Sequence, residues 1–223
     1  MKIVLLGIQG AGKSTQGNLL SQQLKLPYLS TGHIFRRMAQ EKTKWGRFIK
    51  ETMAAGHLIS DQETIKIVNE YLQKKEYQNG YILDGFPRNL KQAKKFMFSP
   101  DYAIYLKVKE KEALWRIAGR QDNARNDETL TAVRKRIDIF YKVTKPVTKY
   151  YQKLGVLIEV DGSRSIKEVN EFILKSLGKT LGRNGITNWR KRSKIILAIV
   201  GLPGAGKTTA TEFFKKRKIP QSV

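Results

Sequence analysis

The chain opens on an unbroken apolar run, IVLLG at 3–7, that ends in a glycine. A short run with no polar face predicts a parallel strand buried on both sides. From Lys13 to Leu26 the apolar positions take helical spacing, and Pro27 stops them. Ser60-Asp61-Gln62-Glu63 has the form of a capping box, followed by Ile65, Val68 and Leu72 at i, i+3 and i+7. YILDG at 81–85 and YAIYLKV at 102–108 predict two more strands. A long helical pattern runs from about Thr129 to Leu154, with a kink expected at Pro146. VLIEVDG at 156–162 is another strand, and Ser165 to Glu168 caps the last helix. Strands separated by helices of this length predict an α/β fold, with right-handed crossovers and a parallel sheet flanked by helices on both faces.

The junction between the first strand and the first helix carries chemistry. Gly7-Ile8-Gln9-Gly10-Ala11-Gly12-Lys13-Ser14 fits G-x-x-x-x-G-K-[ST] in the strand-to-helix context that this phosphate loop requires. Glycines let successive N–H groups turn toward one anion, and the following helix adds its positive end. Gly10, Ala11, Gly12, Lys13, Ser14 and Thr15 are therefore expected to hold a nucleoside triphosphate. Lys13 would reach the β- and γ-phosphates, and the Ser14 hydroxyl would ligate Mg²⁺. The fold expectation narrows to a three-layer P-loop NTPase. The chain has no N-K-x-D guanine motif, which argues against a small GTPase.

Composition adds limits. The 223 residues amount to one domain and a remainder at about 100–200 residues per domain. No run of about 18 apolar residues predicts a membrane span, and the N-terminus lacks a signal-peptide cleavage pattern. The absence of cysteine excludes disulfides, thiol catalysis and a four-cysteine zinc site, and suits a cytoplasmic setting. The formal charge of +24 points to polyanions or phosphorylated small molecules as partners. That charge is uneven: residues 1–178 hold 32 basic and 18 acidic side chains, whereas 179–223 hold 11 basic and one acidic. A boundary is therefore expected near Gly178, followed by a basic linker over 179–194.

Residues 195–209 repeat the strand and phosphate loop, with Gly201, Gly204, Gly206, Lys207 and Thr208 in the motif positions. One strand and one helix make no core of their own, so 195–223 is expected to be a partial unit. It reads as the opening of a second kinase domain or as a tail packed on the first domain or another subunit; an active second site is the weakest reading.

On the acceptor side, Asp84 ends a strand whose tip would lie beside the loop, where a carboxylate holds Mg²⁺ through water. Gly85-Phe86-Pro87-Arg88 makes a rigid turn that aims a guanidinium, suited to phosphate oxygens, back at the site.

GIQGAGKSTQ, STGHIFR, AGHLISD, GYILDGFPRNLKQA, RIAGR, ARNDETLTAVRKRI and VDG, in this order, resemble the adenylate kinases among the nucleoside-monophosphate kinases. The resemblance covers residues 1–178 and implies reversible, Mg²⁺-dependent transfer, ATP + AMP = 2 ADP. It implies an AMP-binding segment at about 30–59, with Thr31, Arg36, His57, Leu58, Ile59, Gly85, Phe86, Pro87, Arg88 and Gln92 lining the AMP pocket. Arg36 would pair with the monophosphate, and Thr31 and Gln92 would recognise adenine. Arg116 and Arg120 would contact the donor, Arg125 and Arg136 would bridge the two phosphate groups, and Asp127 would orient them. Lys13, Arg88, Arg120, Arg125 and Arg136 form the implied catalytic set, and Arg164 would lie over the donor base.

The stretch 121–128 implies a short lid, without a zinc-binding or β-rich insertion. Lid and AMP-binding segment would close over the substrates, with opening limiting turnover. His33 departs from the family, which usually has aspartate in S-T-G-D; this changes the local charge near Mg²⁺. A homo-oligomer is implied only by analogy with archaeal adenylate kinases that are trimers. Two alternatives stay open: a CMP or UMP kinase, and a nucleic-acid-associated P-loop protein suggested by the sequence pI near 10.2 and the WRKRSK run. The kinase reading requires no nucleic acid; nucleic-acid binding would favour aromatics interleaved with basic residues, and Trp189 is the only aromatic in the basic linker.

Overall fold

The computed structural model describes residues 1–119 and 129–191, with side chains as far as 178. Lys13–Leu24 (α1) follows the first strand, Lys2–Leu6 (β1), and leads to the short strand Tyr28–Ser30 (β2). Three helices come next: Thr31–Ala39 (α2), Lys44–Ala54 (α3) and Asp61–Leu72 (α4). Tyr81–Asp84 (β3), Leu90–Lys95 (α5), Tyr102–Lys107 (β4) and Glu110–Ala118 (α6) bring the chain to residue 119. Leu130–Ile139 (α7), Lys145–Lys153 (α8), Leu157–Asp161 (β5) and Ile166–Lys191 (α9) follow.

The five strands form one sheet in the order β2-β3-β1-β4-β5, and every pairing is parallel. The apolar runs lie at its centre: Ile3, Val4, Ile82, Leu83, Ala103, Ile104 and Leu106 have no exposed surface, as strands covered on both faces require. The α/β reading therefore holds, with a P-loop arrangement of helices about a parallel sheet. From β1 the chain crosses over β3 to reach β2, whereas from β3 it crosses back over β1 to reach β4. The strand order thus reverses between β1 and β3, and a crevice opens beyond their carboxyl ends. Leu5 pairs with Asp84 there, which sets the phosphate loop beside the tip of β3.

Local signals set the helix starts. Ser60 caps α4, accepting from the Glu63 amide, and its hydroxyl returns a bond to the Glu63 carboxylate. Ser165 and Glu168 close the same reciprocal pair ahead of α9. The single kinked helix expected over 129–154 is instead two helices joined by a π-helical turn at Phe140–Thr144. Pro146 stands in the first turn of α8 and cannot donate to the turn before it, which widens to π-helical geometry.

The chain divides into two compact units, Met1–Ser176 and Leu177–Val223. In the second unit the described part is helical backbone: α9 continues to Lys191, so the stretch read as a linker is helical over 179–191. The second phosphate loop, at 195–209, lies outside the described residues. Among the described residues no helix is long and apolar enough to cross a membrane.

Two buried tyrosines pack inside the first unit. Tyr81 donates to the Phe98 carbonyl at 2.6 Å, whereas the Tyr151 hydroxyl is buried with no partner. Burial raises both phenols well above the ordinary value. Above the unfolded value of about 10, the unfolded chain gives up phenolic protons that the folded chain keeps, so stability falls as pH rises. Tyr151→Phe is expected to leave stability at pH 7 unchanged or raise it by up to about 1 kcal/mol. The same variant should show a shallower alkaline decline; denaturant melts from neutral pH into the alkaline range check both.

Candidate active site

The crevice is walled by the phosphate loop, α2 and α3, the turn after β3, and α7 with its π-helical turn. On the loop, Gly10 and Gly12 have φ near +87° and +86°, a conformation that suits glycine, and a Cβ at Gly10 would strike the Ala113 carbonyl at 2.5 Å. Gly12 caps α1 without any side-chain bond, so the first N–H groups of the helix face whatever the loop encloses. Lys13 Nζ donates to the carbonyls of Gly7 and Ile8, both at 2.9 Å, and so rests along the loop. Lys13 and Ser14 line the crevice with Gly10 and Gly12; Ala11 is buried behind them, and Thr15 is exposed outside it.

Asp84 stands at the centre. The Tyr28 hydroxyl donates to its Oδ2 at 2.9 Å, and Oδ1 is buried with no protein partner. Tyr28 reaches this position because Gly17 on α1 has no side chain: a Cβ there would collide with the Tyr28 ring. Nothing in LPYLS marked this tyrosine as a partner of the site, since the contact spans two strands. Thr31 is buried and donates to the Asp84 carbonyl at 3.3 Å; it sits behind the crevice wall.

Arg36, Arg88 and Arg136 reach the same crevice. Arg88 is pinned by its Nε to the Gly85 carbonyl at 2.8 Å, and its own carbonyl accepts from Thr144 on the π-helical turn at 2.7 Å. Burial holds the Arg88 guanidinium below the usual arginine range; Asp84 pulls against this, while Arg136 and Arg36 push it further down. Among the described residues, these three arginines and Lys13 line the crevice together with the Asp84 carboxylate, a set suited to an anionic ligand. Arg136 donates to Gln9 of the phosphate loop at 3.4 Å and to the Met53 carbonyl at 2.7 Å, so it ties the loop to α3. Lys135 and His57 meet at 2.9 Å beside it.

His57, Leu58, Ile59 and Gln92 also line the crevice, with Phe35 and Met53. Gln92 is buried: its Oε1 accepts from the Arg88 amide at 2.7 Å, and its Nε2 donates to Asp61 Oδ1 at 2.8 Å. Asp61, which the pattern marked only as part of a helix cap, also accepts from Asn89 Nδ2 at 2.6 Å. Gly85, Phe86 and Pro87 line the crevice between Asp84 and Arg88.

Arg116 and Arg164 lie elsewhere, at the turn after β5. Arg116 bonds to Glu112 at 2.9 Å and to the Gly162 and Ser163 carbonyls at 2.8 and 3.3 Å. Arg164 pairs loosely with Asp161 at 3.6 Å. Arg120, Arg125 and Asp127, with the short lid at 121–128, fall outside the described residues.

The sequence profile of the adenylate kinase family matches residues 5–156. The chain belongs to the adenylate kinase family. It is 35% identical over 212 residues to the adenylate kinase of Caldanaerobacter subterraneus, covering 79% of this chain and 96% of that protein. Similarity to the adenylate kinase of a Thermoanaerobacter species is 35% over 213 residues, covering 80% and 98% of the two chains. For that of Clostridium botulinum it is 36% over 214 residues, covering 80% and 99%. Membership makes the chain an enzyme, a phosphotransferase with a phosphate group as acceptor. The comparisons do not favour the nucleic-acid-associated and pyrimidine-kinase alternatives.

Tyr28→Phe removes the hydroxyl bond to the Asp84 carboxylate while keeping the ring against Gly17. Turnover in a coupled kinase assay is expected to fall by about 10- to 100-fold, the loss of one hydrogen bond to a charged group. The melting temperature should stay within a few degrees of the parent.

Proposed function

We propose that the crevice transfers the γ-phosphoryl group of ATP to AMP, giving two ADP, with the phosphate loop as donor site and the Arg36–Arg88 end as acceptor site. The observation that carries this division is the meeting of Lys13, Asp84, Arg36, Arg88 and Arg136 in one crevice. A phosphoryl transfer with a loose transition state asks for in-line placement and charge neutralisation more than covalent chemistry, and this set is suited to both.

In this reading, the N–H groups of Gly10 to Ser14 and the Lys13 ammonium hold the triphosphate. Arg36 and Arg88 hold the monophosphate, and Arg136 spans the two. Arg125 and Arg120 join Arg136 and Arg88 around the transferred group, and Asp127 orients them. Arg116 and Arg164 approach the donor base from the turn after β5. Gln92 reads adenine, with His57, Leu58 and Ile59 against the base and Thr31 bracing the wall behind. Segments 30–59 and 121–128 close to exclude water. The small apolar cluster of Phe35, Ile49 and Ile59, with Trp45 and Met53 packed on it, gives the first of these a core of its own.

The donor set suits Mg²⁺. Among the described residues no cluster of three or more His, Asp or Glu side chains could hold a metal. The partnerless, buried Asp84 Oδ1 is a ready acceptor for a metal-bound water, and Ser14 Oγ would ligate directly. Bound with ATP, Mg²⁺ supplies charge neutralisation at the β- and γ-phosphoryl oxygens. The reading places the enzyme in the cytoplasm, assigns catalysis to 1–178, and gives 195–223 no part in it.

A coupled assay pairing ATP with AMP, CMP, UMP and GMP in turn should show AMP as the preferred acceptor. Activity with none of the four in folded protein would overturn the proposal. Lys13→Ala should lower turnover by at least about 10²–10³-fold, the scale of losing one preorganised donor. Lys207→Ala should leave turnover unchanged.

A further inference from the structure

We infer that Asp61 is a specificity-determining positioning residue: with the Arg88 main-chain N–H, it locks the Gln92 amide in the one orientation that accepts adenine and rejects guanine. The inference rests on the proposal that Gln92 reads the acceptor base.

A glutamine amide is two-faced. Rotated by half a turn, it exchanges its carbonyl oxygen and its NH₂ with almost no change of shape. A free glutamine edge could therefore pair equally well with either of two patterns. Adenine presents a ring-nitrogen acceptor beside an amino donor. Guanine presents a ring N–H donor beside a carbonyl acceptor. A site that uses glutamine to tell them apart needs a second device that prevents the flip.

Two neighbours of opposite and invariable sense supply it. The Arg88 main-chain N–H can only donate, and it meets Gln92 Oε1 at 2.7 Å. The Asp61 carboxylate can only accept, and its Oδ1 meets Gln92 Nε2 at 2.8 Å. Flipping the amide would aim the NH₂ at an N–H and a carbonyl at a carboxylate, two repulsive contacts in a place where Gln92 is 1% exposed and water offers little relief. What remains toward the crevice is one N–H and one carbonyl lone pair in a set order, which matches adenine and mismatches guanine.

The fold positions Asp61 for this task where two helix starts meet. Asp61 is the first residue of α4, after the Ser60 cap, and Asn89 caps α5 by accepting from the Gln92 amide at 2.8 Å. Asn89 Nδ2 also donates to Asp61 Oδ1, at 2.6 Å, which holds the carboxylate in place. A capping role for Asp61 would need nothing more than its position in the first turn. The bonds to Asn89 and Gln92, from a different helix, are what that role leaves unexplained.

The test compares kcat/KM for AMP and for GMP, at saturating ATP, in the parent, Asp61→Asn, Asp61→Ser, Asp61→Ala and Gln92→Ala. Asparagine at 61 keeps a carbonyl for Asn89 Nδ2 and Gln92 Nε2, which meet the same Oδ1, so Asp61→Asn is the control that removes the charge and leaves the lock. Asp61→Ser releases it, because a hydroxyl can accept from Asn89 and donate to a flipped Gln92 carbonyl. The AMP-to-GMP ratio is expected to fall by about 10- to 100-fold in Asp61→Ser, the equivalent of one charge-assisted hydrogen bond, and to stay within about threefold of the parent in Asp61→Asn. Asp61→Ala, which removes the acceptor, should lower the ratio in the same direction and serves if the serine variant does not fold. Adding Asp61→Ser to Gln92→Ala should change the ratio no further. If Gln92→Ala lowers the AMP value but Asp61→Ser leaves the ratio intact, or lowers both values equally, the inference is overturned and Asp61 is a structural cap. If Gln92→Ala affects neither nucleotide, the base-reading assignment of Gln92 fails first, and the inference with it.

Discussion

The parallel pairing of β1 with β3 is the constraint on which the site depends. Because Leu5 stands opposite Asp84, the chain leaves both strands at the same level and on the same edge of the sheet. One exit becomes the phosphate loop, and the other becomes the turn that carries Arg88. A slip of one residue would turn Asp84 to the other face and leave the loop without its carboxylate. The strands can hold this register because they are short, apolar on both faces and clamped by helices above and below, so no alternative pairing buries as much.

Around that register the molecule concentrates positive charge at some cost. Arg36, Arg88 and Arg136 share the crevice with Asp84, and burial holds Arg88 below its ordinary range. The cost is contained by main-chain carbonyls: Gly85 accepts from Arg88, Met53 from Arg136, and Gly7 and Ile8 from Lys13. These carbonyls orient the cations along the walls of the crevice. The polar network about Gln92 differs in kind, because its members satisfy one another and present only an ordered remainder to the crevice.

Much of this could be read ahead of the structure where the signal was local. The strand at 3–7, the loop at 7–14, the Ser60 cap and the strand ending in Asp84 each depend on a few consecutive residues, and each is present. The region 129–154 came out differently because two effects compete there. Helical periodicity is continuous, but Pro146 cannot donate to the turn before it, and the chain answers with a π-helical turn that carries Thr144 to the Arg88 carbonyl. Composition over 179–191 suggested a linker, yet the backbone there continues α9.

The sequence by itself determined the fold class, the phosphate loop and the family, because glycines, caps and apolar runs act over a few residues and motifs keep their order along the chain. Only the tertiary structure decided which side chains serve one another. Tyr28 meets Asp84 across 56 positions, Gln9 meets Arg136 across 127, and Asp61 meets Gln92 across 31. Such pairs leave no periodicity to read, since a hydrogen bond requires only that two groups arrive within about 3 Å with the right sense of donor and acceptor. That arrival is set by the strand order and by how the helices pack on the sheet.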